Sequence, residues 1–282
     1  MSCKHKPFIS VIMGVCYQRQ DLMLLERSIK SILNQTYCNF EFLICQNDST
    51  AQARELLETF QKVDSRIRLI DGTYADTLAQ KLNRCIKESR GTLIARQDDD
   101  DYSEPQRLER QVHYLRGNPD IAFVGCEVKL MESGRIVGIY RFPERPIIRD
   151  FLFTQPFIHP TLVFYKAVLD AVGGYCEEER CDGCEDYDLL LRLYEKGYIG
   201  ANVQHPYFIY TIPAKGKPYG TFRRRVNEMR TRFVLFRRLG LLPKAFFYVC
   251  KPVLVGFIPP ILLRELKVLR RNICFGKERL DE

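Results

Sequence analysis

Four consecutive carboxylates form a group that could bind a metal ion. Residues 98–101, here called the acidic loop, follow a short apolar run and precede a helix that Pro105 can start at its first turn. Carboxylates this close repel one another unless a cation neutralises them, and Mg²⁺ and Mn²⁺ take oxygen ligands and bridge carboxylates to substrate phosphates. A run of like charge can also be a solvated surface, and a calcium-binding EF-hand is disfavoured because its central glycine is absent. The position of the run after a strand favours a metal–diphosphate site.

A second acidic pair, Glu185 and Asp186, lies in the first turn of a predicted helix at residues 185–196 that Gly197 ends. These residues have an ordinary explanation, since the helix dipole favours acidic side chains at this end. The same dipole is expected to keep a carboxylate ionised at neutral pH. An ionised, oriented carboxylate is what a general base needs to take a proton from an attacking hydroxyl.

Strand-like and helix-like patterns alternate through the first hundred residues and position the acidic loop. Short apolar runs predict strands at residues 8–15, 40–45, 67–70 and 93–95, and helical spacing predicts helices after Asp21, at 51–62 and at 78–86. Such alternation predicts a Rossmann-like α/β fold, a mostly parallel sheet with helices on both faces. Ligands bind at the carboxyl ends of such strands, so the loops after Val15, Cys45 and Arg96 are where chemistry is expected.

The second half of the chain has a different pattern. Residues 121–131 and 135–140 flank a Gly-containing turn and predict a hairpin. Residues 143–160 are rich in proline and aromatic residues and predict a long, partly mobile loop, followed by a strand at residues 161–164.

Eight short stretches together resemble the family-2 inverting glycosyltransferases of the GT-A fold, of the type that builds bacterial cell-surface polysaccharides. They match in order and approximate spacing from about Pro7 to about Gly197, and the ordered set is more specific than the acidic loop alone. The stretches are ISVIMGVCY at 9–17, SILNQTY at 31–37, RQDDDD at 96–101, RLERQ at 107–111, NPD at 118–120, HP at 159–160, GGY at 173–175 and EDYD at 185–188.

The resemblance implies a donor site for a nucleotide-diphosphate sugar. Val15 and Tyr17 would border the nucleobase. Asp98, Asp99 and Asp100 would form the D-x-D element of the family, with Asp100 the direct ligand of Mn²⁺ or Mg²⁺ and Asp98 a further ligand close to the ribose or the donor sugar. The metal ion would stabilise the departing diphosphate, and a single displacement would invert the anomeric configuration.

The resemblance also implies an acceptor side. Asp186 would be the catalytic base of the Glu-Asp motif, and Glu185 would help to position the acceptor. His159, just before Pro160, could line the acceptor side, and a structural role for this histidine is equally open.

Three departures from the family pattern affect the donor site. Where relatives often carry Asp-Asp-Gly-Ser after the second strand, this chain has Gln46, Asn47, Asp48 and Ser49. An amide can both donate to and accept from a pyrimidine edge, so Gln46 and Asn47 keep a base site possible and a UDP-sugar remains favoured. Asp99 stands where relatives often have alanine.

The third departure is a missing histidine after the last strand. The matching residues 210–217 contain none. Lys215 or Lys217 could supply positive charge to the diphosphate instead, although an ordinary solvated lysine is the favoured interpretation of both.

Two other function classes are weighed against the transferase. A nucleotidyltransferase that makes nucleotide sugars needs a similar sheet and metal, but it typically carries an early glycine-rich loop with Arg and Lys, and residues 14–20 hold one glycine and one arginine. A non-enzymatic module that binds anionic surfaces would leave the acidic loop and the Glu-Asp pair without a purpose.

The positive charge is concentrated in the last sixty residues, which suggests two units, a GT-A domain at 1–220 and a basic helical region at 221–282. The region 222–282 holds 15 Lys/Arg against 5 Asp/Glu, whereas residues 1–221 hold 28 against 30. Interleaved arginines and apolar residues at 222–238 predict a basic amphipathic helix. Residues 241–263 are apolar but are interrupted by prolines and lysines, so a helix across the bilayer is not expected.

An anionic membrane surface is the partner that this tail suggests. Apolar faces could enter the headgroup boundary while arginines meet anionic lipid, which would place the protein in the cytoplasm, peripherally on the inner face of the membrane and close to lipid-linked acceptors. The alternative is that the tail helices complete the enzyme's own core or a dimer contact. Nucleic acid is not expected as a partner because the tail is too apolar.

Eleven cysteines are scattered without a framework, and no export signal is visible at the start of the chain. Free thiols in a reducing cytosol are the simplest expectation. Cys176, Cys181 and Cys184 form the one cluster with metal-like spacing, but a fourth ligand at a convincing distance is absent, which favours ordinary thiols.

Overall fold

Nine strands form a single sheet in the computed structural model, which describes residues 6–18, 21–212 and 221–258. The strands are β1 (Ile9–Val15), β2 (Phe40–Gln46), β3 (Ile67–Asp71), β4 (Leu93–Arg96), β5 (Tyr102–Ser103), β6 (Ile121–Glu132), β7 (Arg135–Tyr140), β8 (Val163–Tyr165) and β9 (Ile199–Thr211). The helices are α1 (Met23–Leu33), α2 (Ala51–Val63), α3 (Leu78–Glu88), α4 (Arg107–Gly117), α5 (Lys166–Ala171), α6 (Glu185–Glu195), α7 (Phe222–Arg238) and α8 (Phe246–Gly256).

The strand order is β3-β2-β1-β4-β8-β6-β9-β5, with β7 paired to β6. The pairs among β1, β2, β3 and β4 are all parallel, as the alternating pattern predicts. The second half of the sheet is mixed, because β8 runs antiparallel to both β4 and β6, whereas β9 runs parallel to β6. The predicted hairpin is present as β6 and β7. The α/β fold class is therefore confirmed.

Helices cover both faces of the sheet. One apolar cluster joins the inward residues of α1, α2 and α4 to alternate residues of β1 and β2, such as Val11 and Phe42. The cluster on the other face joins α3 and α6 to the remaining alternate residues, such as Ile12 and Leu43. Strands buried on both faces must be apolar throughout, which is why their sequences are continuous apolar runs.

Local signals set the helix starts. The Thr50 hydroxyl accepts a hydrogen bond from the backbone of Ala53 and caps α2. Thr77 and Gln80 form a capping box at the start of α3. The predicted cap residue, Asp21, lies one residue before the observed N-cap position of α1, Leu22, yet its carboxylate still accepts a hydrogen bond from the Met23 backbone.

The predicted long loop at residues 143–160 is packed into the core. It contains a 3-10 helix at Ile148–Phe151, and a second one at His159–Thr161 precedes β8. Phe151 and Phe157 are fully buried in the cluster that contains α6. Strand β9 was not predicted from the sequence, since its polar and aromatic residues lack a clear alternation.

The tail contributes two helices to the core. Leu235 and Phe236 of α7 and Val249 of α8 are buried in the same cluster as the leucines of α6. Among the described residues, no helix is long and apolar enough to cross a bilayer. Lys215, Lys217 and the last part of the predicted apolar region lie outside the described residues, and the boundary at residue 220 stays a prediction.

Gly91, between α3 and β4, offers a test of how tightly the parallel strands are packed. A Cβ atom there would lie 2.4 Å from the Ser10 backbone nitrogen and 2.8 Å from the Leu93 carbonyl oxygen. Neither backbone atom can move away without a cost in free energy. Gly91→Ala should lower the free energy of unfolding by about 2 kcal/mol. Gly117→Ala, in open space at the end of α4, is the control and should cost nothing. Urea unfolding of both variants measures this, and equal stability would contradict the packing.

Candidate functional site

A buried guanidinium lies beneath the acidic loop. Arg96, the last residue of β4, is fully buried, and it donates hydrogen bonds to the backbone carbonyls of Ile12 and Gln97. Its Nη2 atom forms an ion pair with the Asp98 carboxylate. The end of β4 thus places one positive charge beneath a loop that carries four aspartates.

Side chains from other elements hold the backbone of the acidic loop. The Ser28 hydroxyl of α1 donates to the carbonyl of Asp98 at 2.6 Å. The Thr211 hydroxyl at the end of β9 donates to the carbonyl of Asp100 at 2.6 Å, and Arg27 donates to the same oxygen at 3.0 Å. The carboxylates of the D-x-D element are therefore presented on a fixed backbone, and all three are only partly buried.

Asp101 shows that the loop carries more negative charge than the described residues neutralise. Its side chain is fully buried, Oδ1 accepts from the Thr211 backbone at 2.7 Å, and Oδ2 has no hydrogen-bond partner among the described residues. Burial raises the pKa of this carboxyl well above its ordinary value, and the charges of Asp98 and Asp100 raise it further. A site with surplus carboxylate oxygens fits a hard divalent cation.

The Glu-Asp pair begins α6, as predicted. Asp186 Oδ2 accepts a hydrogen bond from Gln155 Nε2 at 3.0 Å, and Oδ1 accepts from the Tyr187 backbone at 2.8 Å. Burial raises the pKa of Asp186, and burial together with the charge of Asp186 raises the pKa of Glu185 to about 7. Burial thus opposes the helix dipole at both carboxyls, and the ionised state of Asp186 at neutral pH stays a prediction. A carboxylate with a raised pKa is the stronger base.

Two tyrosines, the buried Tyr175 and the half-buried Tyr210, lie within electrostatic range of both the acidic loop and α6. Burial raises the pKa of Tyr210, and the carboxylates that raise it further include both Asp98 and Asp186. Burial also raises the pKa of Tyr175, to which Asp186 and Asp98 again contribute. Both acidic groups therefore lie close enough to the same rings to act on them, and a substrate that spans the two groups could contact a cation site at one end and a base at the other.

Asp188 has a structural role. Its side chain is fully buried, with Oδ1 3.1 Å from Arg180 Nη1 and Oδ2 2.6 Å from Arg192 Nε. Both oxygens are paired with guanidinium groups, so this carboxylate is not available to an acceptor. Arg192 also donates to the carbonyls of Val172 and Gly174, which ties α6 to the turn before Tyr175.

The predicted base-reading amides are buried and partly engaged. Asn47 accepts from Lys81 Nζ at 2.8 Å and donates to the carbonyl of Thr73 at 3.0 Å. Gln46 donates to Asp71 at 3.2 Å, while its Oε1 atom has no hydrogen-bond partner among the described residues. The geometry therefore leaves Gln46 as the better-placed of the two for a ligand, and Asn47 holds the loop after β3.

The loop after β1 is also anchored. The Val15 carbonyl accepts from Lys81 Nζ at 3.2 Å. Tyr17 is buried, its hydroxyl donates to the Asp21 carbonyl at 2.8 Å, and its backbone donates to Ser49. Contact between this loop and a nucleobase stays a prediction. Lys81 is a residue that the sequence interpretation missed, because a lysine within an amphipathic helix carries no special signal.

His159 is buried, and its Nε2 atom lies 2.7 Å from the Tyr175 hydroxyl. Burial lowers the pKa of His159 well below its ordinary value, and the charge of Arg96 lowers it further. A neutral histidine that is hydrogen-bonded to a buried tyrosine favours the structural reading over contact with the acceptor.

A cleft of about 290 Å³ opens beside Asp186. Its walls come from three parts of the chain: the 143–160 connection, the start of α6 and the tail helices α7 and α8. The lining residues are Phe153, Thr154, Gln155, Gly183, Cys184, Asp186, Tyr187, Arg225, Glu228, Arg232, Lys251, Pro252 and Val255. Sequence reasoning missed Gln155 and the contribution of the tail, since contacts between distant segments leave no local pattern.

Comparison with known proteins identifies relatives along the whole chain. The family model "Glycosyl transferase family 2" matches residues 10–173. The putative glycosyltransferase EpsE of Bacillus subtilis is 30% identical over 97% of this chain and 97% of its own length. The O-antigen biosynthesis glycosyltransferase WbnJ of Escherichia coli is 36% identical over 68% of this chain and 74% of its own length.

Solved structures share the fold at low sequence identity. The mannosyltransferase PcManGT of Pyrobaculum calidifontis, in complex with GDP-Man and Mn²⁺, has a TM-score of 0.61 at 16% identity and covers 97% of this chain and 82% of its own. TarS of S. aureus, residues 1–349, in complex with UDP-GlcNAc, has a TM-score of 0.62 at 17% identity and covers 96% of this chain and 76% of its own.

The contrast between Asp188 and Asp186 predicts opposite effects on stability. Asp188→Asn removes the countercharge of two arginines in a buried site and should lower the free energy of unfolding by about 3 kcal/mol. Asp186→Asn replaces a carboxylate that burial already disfavours, so stability should stay equal or rise. Urea denaturation at neutral pH measures both, and equal losses in the two variants would contradict these assignments.

Proposed function

The chain belongs to glycosyltransferase family 2, and we propose that it moves a hexose-type sugar, with inversion, from a UDP-sugar to an acceptor hydroxyl in a reaction that depends on a divalent cation. The protein is a glycosyltransferase that uses a nucleotide sugar. The observation that carries the finer proposal is that residues 155–160 connect the two acidic groups: Arg107 donates to the carbonyls of Arg96 and Pro160, and Gln155 donates to Asp186.

The acidic loop is the proposed diphosphate side of the site. Asp100 and Asp98 would hold Mn²⁺ or Mg²⁺, which supplies positive charge to the diphosphate as it leaves. Arg96 orients the Asp98 carboxylate by direct pairing, while Ser28 and Thr211 fix the loop backbone. The Mn²⁺ in the PcManGT complex supports the choice of cation.

Asp186 is the proposed base. Its two oxygens are oriented by Gln155 and by the Tyr187 backbone, so the carboxylate has a defined direction before the acceptor binds. It takes the proton of the acceptor hydroxyl as the hydroxyl oxygen attacks the anomeric carbon, and the configuration inverts in one displacement. Glu185, with its pKa raised to about 7, is proposed to hydrogen-bond the acceptor.

The donor base is proposed to be uracil. Gln46 retains a buried Oε1 atom that can accept a hydrogen bond, and its amide nitrogen can donate one. The UDP-GlcNAc in the TarS complex supports this choice, whereas the GDP-Man of PcManGT shows that the fold also accommodates guanine in that protein.

The acceptor is proposed to be a saccharide on a lipid-linked or surface-polysaccharide precursor, bound in the cleft beside Asp186. Three cations, Arg225, Arg232 and Lys251, line the cleft against two carboxylates, which gives it a positive balance suited to a phosphate-bearing ligand. Arg232 is engaged by Glu228 and by the Leu152 carbonyl. The O-antigen role in the name of WbnJ supports a saccharide acceptor.

Exposed aromatic residues surround this cleft and support docking to an anionic membrane. Phe247 is 66% exposed and Phe257 is 73% exposed. Phe222 contacts Phe257 with ring centroids 5.8 Å apart, and it precedes Arg225 by one helical turn. Large exposed apolar side chains interleaved with cations are typical of helices that lie in the headgroup region. The proposed place of action is therefore the inner face of the membrane.

The two rival classes lose support. Family membership assigns a glycosyltransferase rather than a nucleotidyltransferase or a non-enzymatic module. The tail also contributes to the core through Leu235 and Phe236, so it has a structural role in addition to the proposed surface role.

Metal dependence is the first functional prediction. UDP-glucose, UDP-GlcNAc and GDP-mannose are screened to find the donor that the enzyme hydrolyses. Excess EDTA should abolish hydrolysis of that donor, and Mn²⁺ or Mg²⁺ should restore it. Asp100→Ala should lose UDP binding together with activity, because the charge that clamps the diphosphate is gone. Glu58→Ala, on an exposed face of α2, is the control and should behave as the parent. Full activity in EDTA would contradict the proposal.

Asp186→Asn separates chemistry from donor binding. Transfer should fall by roughly two or more orders of magnitude, with UDP affinity nearly unchanged. In the parent enzyme, the rate should rise with pH through the raised pKa of Asp186 and level off above it, because only the ionised form accepts a proton. The variant should lack this rise. Normal turnover by the variant would require another base.

Membrane docking is tested by substituting exposed rings rather than by deleting the tail, since deletion would remove buried Val249. The double variant Phe247→Ser, Phe257→Ser should lose sedimentation with phosphatidylglycerol vesicles and keep its melting temperature. Val63→Ser, equally exposed but remote on α2, is the control and should bind as the parent does. Unchanged binding by the double variant would remove the α8 surface as the docking site.

A further inference from the structure

Two cysteines in the segment before α6 are placed for bond formation, and no step of the proposed transfer uses them. The Sγ atoms of Cys176 and Cys181 lie 2.6 Å apart. Cys181 is fully buried and Cys176 is half-buried. Formation of a disulfide here needs little movement of the backbone, since the two sulfur atoms already touch.

The pair is accessible from solvent on one side. Cys176 and Cys181 both line a second cleft, of about 250 Å³, that also contains Glu185. Arg180 Nη2 lies 3.7 Å from the Cys176 sulfur, so a positive charge is adjacent to the more exposed thiol.

The surrounding segment is held in place by α7. Asn227 Nδ2 donates to the carbonyls of Glu179 and Asp182, at 3.0 and 3.1 Å, on either side of the Cys181 position. The Thr231 hydroxyl donates to the Arg180 carbonyl at 3.1 Å. These bonds fix the Cys181 end of the segment.

A metal site at this place is disfavoured. Cys176, Cys181 and Asp188 each offer one ligand atom within 4.8 Å of the others. Both oxygens of Asp188 are, however, paired with arginines, and a cation would bring a third positive charge beside them. Two thiolates that share a zinc ion at 2.3 Å stand about 3.8 Å apart, which is wider than the observed pair.

We propose that Cys176 and Cys181 are a modification site, a dithiol that peroxide oxidises reversibly to an intramolecular disulfide. The Cys176 thiolate attacks the peroxide O–O bond to give a sulfenic acid and hydroxide. The proton that the Cys176 thiol lost converts this hydroxide to water. The Cys181 sulfur then attacks the Cys176 sulfur, and the displaced sulfenic hydroxyl leaves with the Cys181 proton as the second water. The sum is two thiols and one hydrogen peroxide to one disulfide and two waters.

Trypsin provides a direct test, because Arg180 lies between the two cysteines. The full chain is reduced, desalted, treated with hydrogen peroxide, alkylated, denatured and digested. The disulfide should hold peptide 167–180 to peptide 181–192, and dithiothreitol should separate them. Peptide 181–192 also contains Cys184, so Cys184→Ser is the matched control and should keep the linkage, whereas Cys176→Ser and Cys181→Ser should both lose it.

Three results would overturn the proposal. Both peptides could be alkylated separately after peroxide treatment. The linkage could persist in Cys181→Ser and vanish in Cys184→Ser, which would assign the bond to Cys184. The reduced parent chain could retain one zinc ion per molecule after desalting, lost in Cys176→Ser, which would make the pair a metal site. None of these measurements depends on sugar transfer, so they are independent of the proposed function.

Discussion

The acidic loop depends on one buried charge, the guanidinium of Arg96. Four carboxylates at the end of a buried strand would repel one another, and Arg96 is the cation that lies beneath them and pairs with Asp98. Because Arg96 also donates to the carbonyl of Ile12, it ties the loop to the middle of β1. Arg107, fully buried on α4, donates to the carbonyls of Arg96 and Pro160 at 3.0 Å and holds this strand end against β8. Arg96 thus supplies the positive charge that pairs with Asp98, and Arg107 fixes the position of the strand end.

Buried pairs of carboxylate and guanidinium groups also position α6, the proposed acceptor side of the site. Asp188 binds Arg180 and Arg192, and these arginines fix the segment from Gly174 to the start of α6. Asp186 is consequently presented on a helix whose first turn cannot shift independently. Between the halves stands Tyr175, which bonds His159 and responds to both sets of carboxylates. Tyr175 therefore lies within electrostatic range of both halves of the site.

The sequence predicted those features that depend on local patterns. Continuous apolar runs identified the parallel strands, and the first-turn acids of α6 marked Asp186. What the sequence could not predict depends on which side chains burial brings together. Asn47 looked like a base reader, yet Lys81 and the Thr73 carbonyl engage it. The burial of Asp186, which opposes the effect of the helix dipole on its pKa, likewise cannot be derived from a local window.

Anomalous diffraction from crystals soaked with Mn²⁺ and UDP tests the central claim most directly. We expect one strong manganese peak between the diphosphate and the carboxylates of Asp98 and Asp100, at about 2.2 Å from their oxygens, and on the same side of the sheet as Asp186. A peak bound elsewhere on the chain, or UDP bound with its diphosphate away from the acidic loop, would contradict the assignment of the acidic loop as the diphosphate site.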